Sequence, residues 1–202
     1  MDFAEPIAAL IPGATGRVLE VMTQTSREMS VRAIARLAGV SAAQASRVLP
    51  ALAELGIVER QDAPPAVLYR ILQDHVAVKA LSALARASLA FAEELAREID
   101  GMSPPPASVA AFGSFARHEA RADSDIDLLV VRPADLREED ESWRAVVDGI
   151  REHAQRLSGN RIEILEVGLR EIRPLIRSKR PLWRDIVRDA VVIYGPPLHE
   201  LR

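Results

Sequence analysis

The 202-residue sequence has no cysteine, which excludes a disulfide framework, a thiolate metal site and a cysteine nucleophile together. Lysine is almost missing as well: of 26 basic residues only Lys79 and Lys179 are lysine, an arginine skew that reads as high-GC coding bias. Aromatic residues make up 4%. No stretch approaches the roughly 18 apolar residues of a membrane span. The opening MDFAEPIAALIPG is acidic where a secretory signal would be basic, so a cytoplasmic protein is expected. Charge of one sign is also absent in bulk. The net −3 divides as −1 over each of 1–75, 76–106 and 107–202, so any nucleic-acid contact must come from a local face. What is present is 49% apolar and 27% charged residues, enough for a packed core, at a length that suits one large or two small domains.

The stretch GMSPPPAS at 101–108 joins a helix-stopping glycine to three prolines and reads as a boundary. Before it, 74–100 has no glycine or proline and carries Leu81, Leu84, Ser88, Phe91, Leu95 and Glu98 at alternating three- and four-residue steps. One long amphipathic helix is expected there, either a connector packed on its own domains or a homodimer seam interrupted by Ser88 and Glu98. The organisation expected is thus 1–72, a connector at 73–106, and 107–202.

From Thr15 to Leu72 the pattern gives helices at 15–25, 31–38 and 41–55, then β-type runs at 57–60 and 67–70. Gly39 sits where a helix-turn-helix needs its bend. Ser30 and Ser41 stand at N-cap positions, and Ser41 with Gln44 forms a capping box. The expected buried seam is Ile34, Leu37, Val40, Ala45, Val48, Leu52 and Leu55. Asp62-Ala63-Pro64-Pro65 would be a wing tip, and Pro50 implies a kink or a late helix start. This segment resembles the winged helix-turn-helix DNA-binding domains of bacterial regulators. The resemblance implies a duplex DNA partner, with helix 41–55 in the major groove and Arg27, Arg32 and Arg60 near phosphates. Ser41, Gln44 and Arg47 then stand at the reading end. Gln44 matches adenine and Arg47 guanine by bidentate geometry, against the plainer roles of cap and solvated arginine.

The chemistry lies in SVAAFGSFARHEARADSDIDLLVV, 108–131. An apolar strand ends at Gly113-Ser114, where backbone N–H groups and a hydroxyl meet a helix start, an arrangement suited to phosphate. After ten intervening residues, Asp125 and then Asp127 stand at the entrance of a second apolar strand. Residues i and i+2 project to one face, so two like charges converge and need a cation. Oxygen-only ligands select a hard ion such as Mg²⁺.

Gly113-Ser114 followed by Asp125-Ile126-Asp127 and Leu-Leu-Val-Val strongly resembles the DNA polymerase β-like nucleotidyltransferase superfamily, especially its minimal bacterial members, from about Ser108 to Gly195. The resemblance implies an α+β chain: a winged helix joined to a small mixed sheet flanked by helices. It also implies a two-ion Mg²⁺ site and a nucleoside triphosphate substrate, with AMP passing from ATP to a hydroxyl acceptor, a protein or an RNA. Arg117 matches the arginine of the family's Gly-Ser run, and 189–195 its closing strand. His118 departs from a frequent glycine. The third carboxylate falls in RIEILEV at 161–167, where Glu163 is favoured on family position over Glu166. The two have opposite parity and cannot share a face. Gly113, Ser114 and Arg117 would hold nucleotide, and Asp125, Asp127 and Glu163 the metal. The competing expectation is a DNA-binding regulator without catalysis, or an antitoxin with a toxin partner, whose second domain senses nucleotide or binds a partner.

Overall fold

The computed structural model describes residues 1–201 of an α+β chain that divides into two compact units, Glu5–Ala87 and Met1–Ala4 with Ser88 onward. No helix among the described residues is long and apolar enough to cross a membrane.

The first unit opens with α1 (Pro6–Leu10) and α2 (Ala14–Thr23). The buried Glu20 of α2 accepts hydrogen bonds from the N–H groups of Ile7 and Ala8, satisfying donors that the first turn of α1 leaves without helical partners. There follow β1 (Met29–Ser30), α3 (Val31–Leu37), α4 (Ala42–Glu54), β2 (Val58–Ala63), β3 (Ala66–Ile71) and α5 (Val76–Ala85). The strands form an antiparallel sheet in the order β1-β3-β2, with Pro64 and Pro65 at the tip of the β2–β3 hairpin. Ser30 caps α3, and the full Ser41–Gln44 capping box starts α4, as the spacing predicts.

Two details of the expected seam differ. Leu37 and Leu55 are 58% and 65% exposed, while Leu49, omitted from the seam, is fully buried. The face of α4 that turns inward runs Ala45–Leu49–Leu52, which leaves Leu55 past the last turn and off the core. α4 also starts without delay and continues through Pro50, whose position on the exposed side keeps its ring out of the packing.

The single helix expected over 74–100 is two. α5 ends at Arg86, where the backbone leaves helical geometry (φ −102°, ψ 25°), and α6 (Ala87–Asp100) begins directly after it. The halves serve different cores. Val78, Leu81 and Leu84 pack with the first unit, whereas Phe91, Leu95 and Ile99 are buried in the second. The apolar seam is therefore consumed within the chain, and a break lets each half satisfy its own core.

The second unit adds β4 (Ser108–Phe112), α7 (Gly113–Ala116), β5 (Ile126–Arg132), α8 (Glu141–Ser158), β6 (Ile162–Gly168), α9 (Leu169–Ile176), α10 (Pro181–Asp189) and β7 (Val191–Tyr194). The sheet order is β6-β5-β4-β7, with β5 and β6 parallel and the other pairs antiparallel. β5 is an almost unbroken apolar run because both of its faces are covered. On one face, Leu129, Val131 and Val167 pack with Ile172 of α9 and Trp183 and Ile186 of α10. α8 packs on the sheet through β6 and buries Trp143, Val146, Ile150 and Ala154. Phe3, Phe91 and Phe115 form a three-ring edge-to-face cluster with centroids 5.0–5.7 Å apart, which anchors α7.

Candidate active site

β4 delivers the chain to Gly113, and β5 begins at Ile126, directly after Asp125 closes the intervening loop. Phe112 pairs with Asp127 across the antiparallel β4–β5 ladder, and Asp127 pairs with Glu163 across the parallel β5–β6 ladder. Register alone therefore sets Asp127 and Glu163 side by side on one face. It is the face of Leu129, Val131 and Val167, which α9 and α10 cover.

Asp127 is half-buried, whereas Asp125 and Glu163 are exposed. Burial raises the pKa of Asp127 above the ordinary carboxylate range, the charges of Asp125 and Glu163 raise it further, and Arg117 opposes them. Gly113 touches the same carboxylate. At φ +67° it occupies the left-handed region, and a Cβ there would lie 2.3 Å from Asp127 Oδ2. Any side chain at 113 would displace the carboxylate.

Glu163 is ion-paired with Arg161. Among the described residues no three of His, Cys, Asp or Glu stand close enough to enclose a metal ion. Arg117 is held between Glu119 (2.9 Å) and Asp189 (3.7 Å), and the neighbouring Arg188 and then Arg117 depress the pKa of Asp189. Ser114 follows Gly113 in the single turn of α7. His118, which follows Arg117, has φ +58°, a conformation that glycine adopts without strain.

Glu166 faces the other way. Its Oε1 accepts from Arg132 Nε and Trp143 Nε1, both at 2.8 Å, tying β5 and β6 to α8. This role accounts for an acid in the middle of an apolar strand.

The sequence reading missed Asn160. Its buried side-chain amide donates to the carbonyls of Arg121 (3.1 Å) and Ser124 (3.0 Å), and its Oδ1 accepts from the Met1 ammonium at 2.7 Å. It thus pins the turn that immediately precedes Asp125. The only local signal is an asparagine after the glycine that ends α8. Asn160→Ala removes these bonds at once, and we expect a loss of about 2–3 kcal/mol, read as a lower urea midpoint with unchanged slope.

In the first unit, Ser41 N–H and Oγ–H donate to Gln44 Oε1 at 2.9 and 3.0 Å, and Gln44 N–H donates to Ser41 Oγ at 3.2 Å. Gln44 is thus engaged as a cap. Arg47 is exposed on the same end of α4, with Nε donating to Ala43 O. Arg27 and Arg32 are exposed, and Arg60 is paired with Asp62 on its own strand.

Residues 92–193 match the family model for the nucleotidyltransferase domain, and residues 15–62 match that for the IclR helix-turn-helix domain. The chain belongs to the nucleotidyltransferase domain family. The nucleotidyltransferase domain is fused here to an N-terminal helix-turn-helix domain. No curated protein matches the chain. Two solved structures resemble it distantly, each at 15% identity. One is a toxin–antitoxin with AMP-PNP, aligned over 54% of this chain and 76% of the other with TM-score 0.37. The other is TrmBL2, an archaeal chromatin protein, aligned over 92% and 78% with TM-score 0.33.

Proposed function

We propose that the nucleotidyltransferase domain transfers a nucleoside monophosphate, AMP from ATP, to a hydroxyl acceptor, and that the helix-turn-helix domain binds duplex DNA. The observation that carries the transfer reading is Asp127: an acid driven toward its neutral form by burial and by two neighbouring carboxylates, with Gly113 against its oxygen. Such an arrangement is unfavourable without a cation. The donors are all oxygen and suit Mg²⁺, which Asp125 and Asp127 would hold with phosphate and water completing the shell. Mg²⁺, when bound, neutralises phosphate charge. Glu163 joins them once Arg161 releases it.

Gly113 and Ser114 then hold the triphosphate. Arg117, exchanging its carboxylate partners for phosphate, steadies the leaving charge. Glu163 takes the proton of the acceptor hydroxyl, the acceptor oxygen bonds to the α-phosphorus, and the α–β bridging bond breaks to release pyrophosphate. A protein with both domains would work in the cytoplasm, where DNA and ATP meet. The test is incubation with α-labelled ATP, Mg²⁺ and host lysate. Label should appear on a macromolecule and vanish with Asp127→Asn; no label with any nucleoside triphosphate overturns the reading.

The Arg161–Glu163 pair favours a second reading, a regulator whose domain binds nucleotide without transferring it. Under it, ATP binds and no label moves.

For the DNA-binding reading, the expected result is sequence-selective duplex binding with a steep salt dependence. Arg47→Ala should cost about 1–3 kcal/mol on the preferred site and relax selectivity, while Arg32→Ala should weaken all sequences alike. Mobility shifts across genomic fragments check both. No shift at low salt would make this helix-turn-helix a protein-binding module.

A further inference from the structure

α10 ends on Asp189, where a carboxylate opposes the negative end of the helix dipole and cations are the residues that fit. The side chain is only 14% exposed, so water does little to offset that position. An acid kept against its local preferences has a tertiary reason. Two arginines supply it. Arg188 donates from Nε to Oδ1 and from Nη2 to Oδ2, both at 2.7 Å, and Arg117 Nη1 lies 3.7 Å from Oδ2. Arg188 is fixed in turn by Asp185 at 3.3 Å, so Asp189 is braced from its own helix before Arg117 reaches it.

Arg117 meets its two partners on different atoms. Nε donates to Glu119 Oε2 at 2.9 Å, while Asp189 takes the Nη1 side. In a guanidinium, Nε–H and one Nη2–H form the side-on fork that can grip a phosphate with two parallel bonds, and Nη1 lies away from that fork. Glu119 therefore occupies the edge a phosphate would use, and Asp189 does not. The two acids also differ in hold: Glu119 is 62% exposed, and an exposed ion pair contributes little. Backbone bonds tie both residues to the turn at Gly113-Ser114, since Arg117 N–H donates to Gly113 O (3.3 Å) and Glu119 N–H to Ser114 O (2.8 Å).

The geometry points to Asp189 as a positioning residue for Arg117 and to Glu119 as a built-in stand-in for phosphate. This rests on the nucleotide-binding part of the reading above. When the triphosphate reaches Gly113-Ser114, Glu119 yields the Nε edge and turns to solvent, whereas Asp189 keeps Nη1 and holds the guanidinium plane in place. The exchange at Arg117 is thus one-sided.

The test measures binding of ATP with Mg²⁺ to the full chain by calorimetry. Glu119→Gln and Asp189→Asn each remove one negative charge, so a field effect alone would tighten ATP in both. Positioning gives opposite signs. Glu119→Gln should tighten ATP about threefold, because phosphate no longer competes with an exposed ion pair. Asp189→Asn should weaken it about tenfold, the scale of one hydrogen bond to a charged group. Asp189→Glu keeps the charge on a longer arm and should fall between Asp189→Asn and wild type. In an Arg117→Gln background, itself about tenfold weaker, each of these changes should stay within about twofold of that background. An Asp189 that only supports the fold would lower affinity as much without Arg117 as with it.

Tighter binding by Asp189→Asn, or equal weakening with and without Arg117, overturns the positioning role, and weaker binding by Glu119→Gln overturns the stand-in. If Asp189→Asn does not melt cooperatively, Asp189→Glu carries the test with the same signs. The expected signs with no transfer of label from ATP support the inference and overturn only the transfer reading. No binding of any nucleoside triphosphate to the wild type overturns both.

Discussion

Asp127→Asn should abolish nucleotidyl transfer, by about 10³-fold or more, and should make the divalent-free protein more heat-stable. The rate effect follows from the charge the site must balance. A ligand carboxylate that fixes the cation on the phosphates acts on several kcal/mol of transition-state charge, and about 4 kcal/mol corresponds to about 10³-fold. Asp125, exposed and just outside β5, has freedom that Asp127, seated between Phe112 and Glu163 in the ladder, lacks. Asp125→Asn should therefore lose less. Single-turnover transfer of labelled AMP measures both, and an Asp127→Asn enzyme within tenfold of wild type would remove Asp127 from the metal site.

The stability effect has a definite sign. The native state raises the pKa of Asp127 by burial first and then by Asp125 and Glu163, so it binds that proton more tightly than the unfolded chain does. Stability from this group is therefore greatest below the ordinary carboxylate range and is lost as pH rises through the raised value. Asparagine cannot ionise and escapes that loss. The melting midpoint of Asp127→Asn should match wild type in acid and exceed it near neutrality without divalent ions. Mg²⁺ with ATP should then raise the wild type and leave the variant where it was.

The parts of this structure that were legible in the sequence are those where local chemistry and tertiary packing agree. The Ser41–Gln44 box, the turn at Gly39 and the apolar runs of β4 and β5 each have a local cause, and the fold uses each where it stands. Opposite parity within RIEILEV also held, because period two is a property of the strand itself.

What escaped was set by partners distant in sequence. An unbroken periodicity over 74–100 predicts one helix, and only the existence of two cores explains a break at Arg86. Leu37 and Leu55 continue a numerical pattern past the point where a neighbour remains to bury them. Glu20 and Asn160 are short polar side chains whose partners lie 12 to 39 residues away, or farther for Met1, and nothing beside them announces it. In the candidate active site the residue types were legible, whereas the partners that occupy them were not: Arg161 on Glu163, and Glu119 with Asp189 on Arg117.

The two glutamates of β6 should separate rate from stability. Glu163 stands beside Asp127 with its carboxylate at the surface, paired to the exposed Arg161. A general base contributes about 10²–10⁴-fold, and its interaction matures as the hydroxyl loses its proton. Glu163→Gln should thus lose at least about 100-fold in turnover while ATP affinity stays within about threefold. The melting midpoint should barely move, because an exposed ion pair contributes little. Glu166→Gln should do the opposite. Its oxygen can still accept from Trp143, but Arg132 loses the counter-charge of a mostly buried pair, so about 1–2 kcal/mol of stability goes while turnover stays near wild type. Arg161→Ala, which frees Glu163, should not slow transfer if release of that pair precedes chemistry. Turnover lost with Glu166 and kept without Glu163 would place the chemistry on the α8 face of the sheet, away from Asp127. Turnover indifferent to both would leave the Arg161–Glu163 pair as a closed site, and nucleotide binding without transfer would then be the function of this domain.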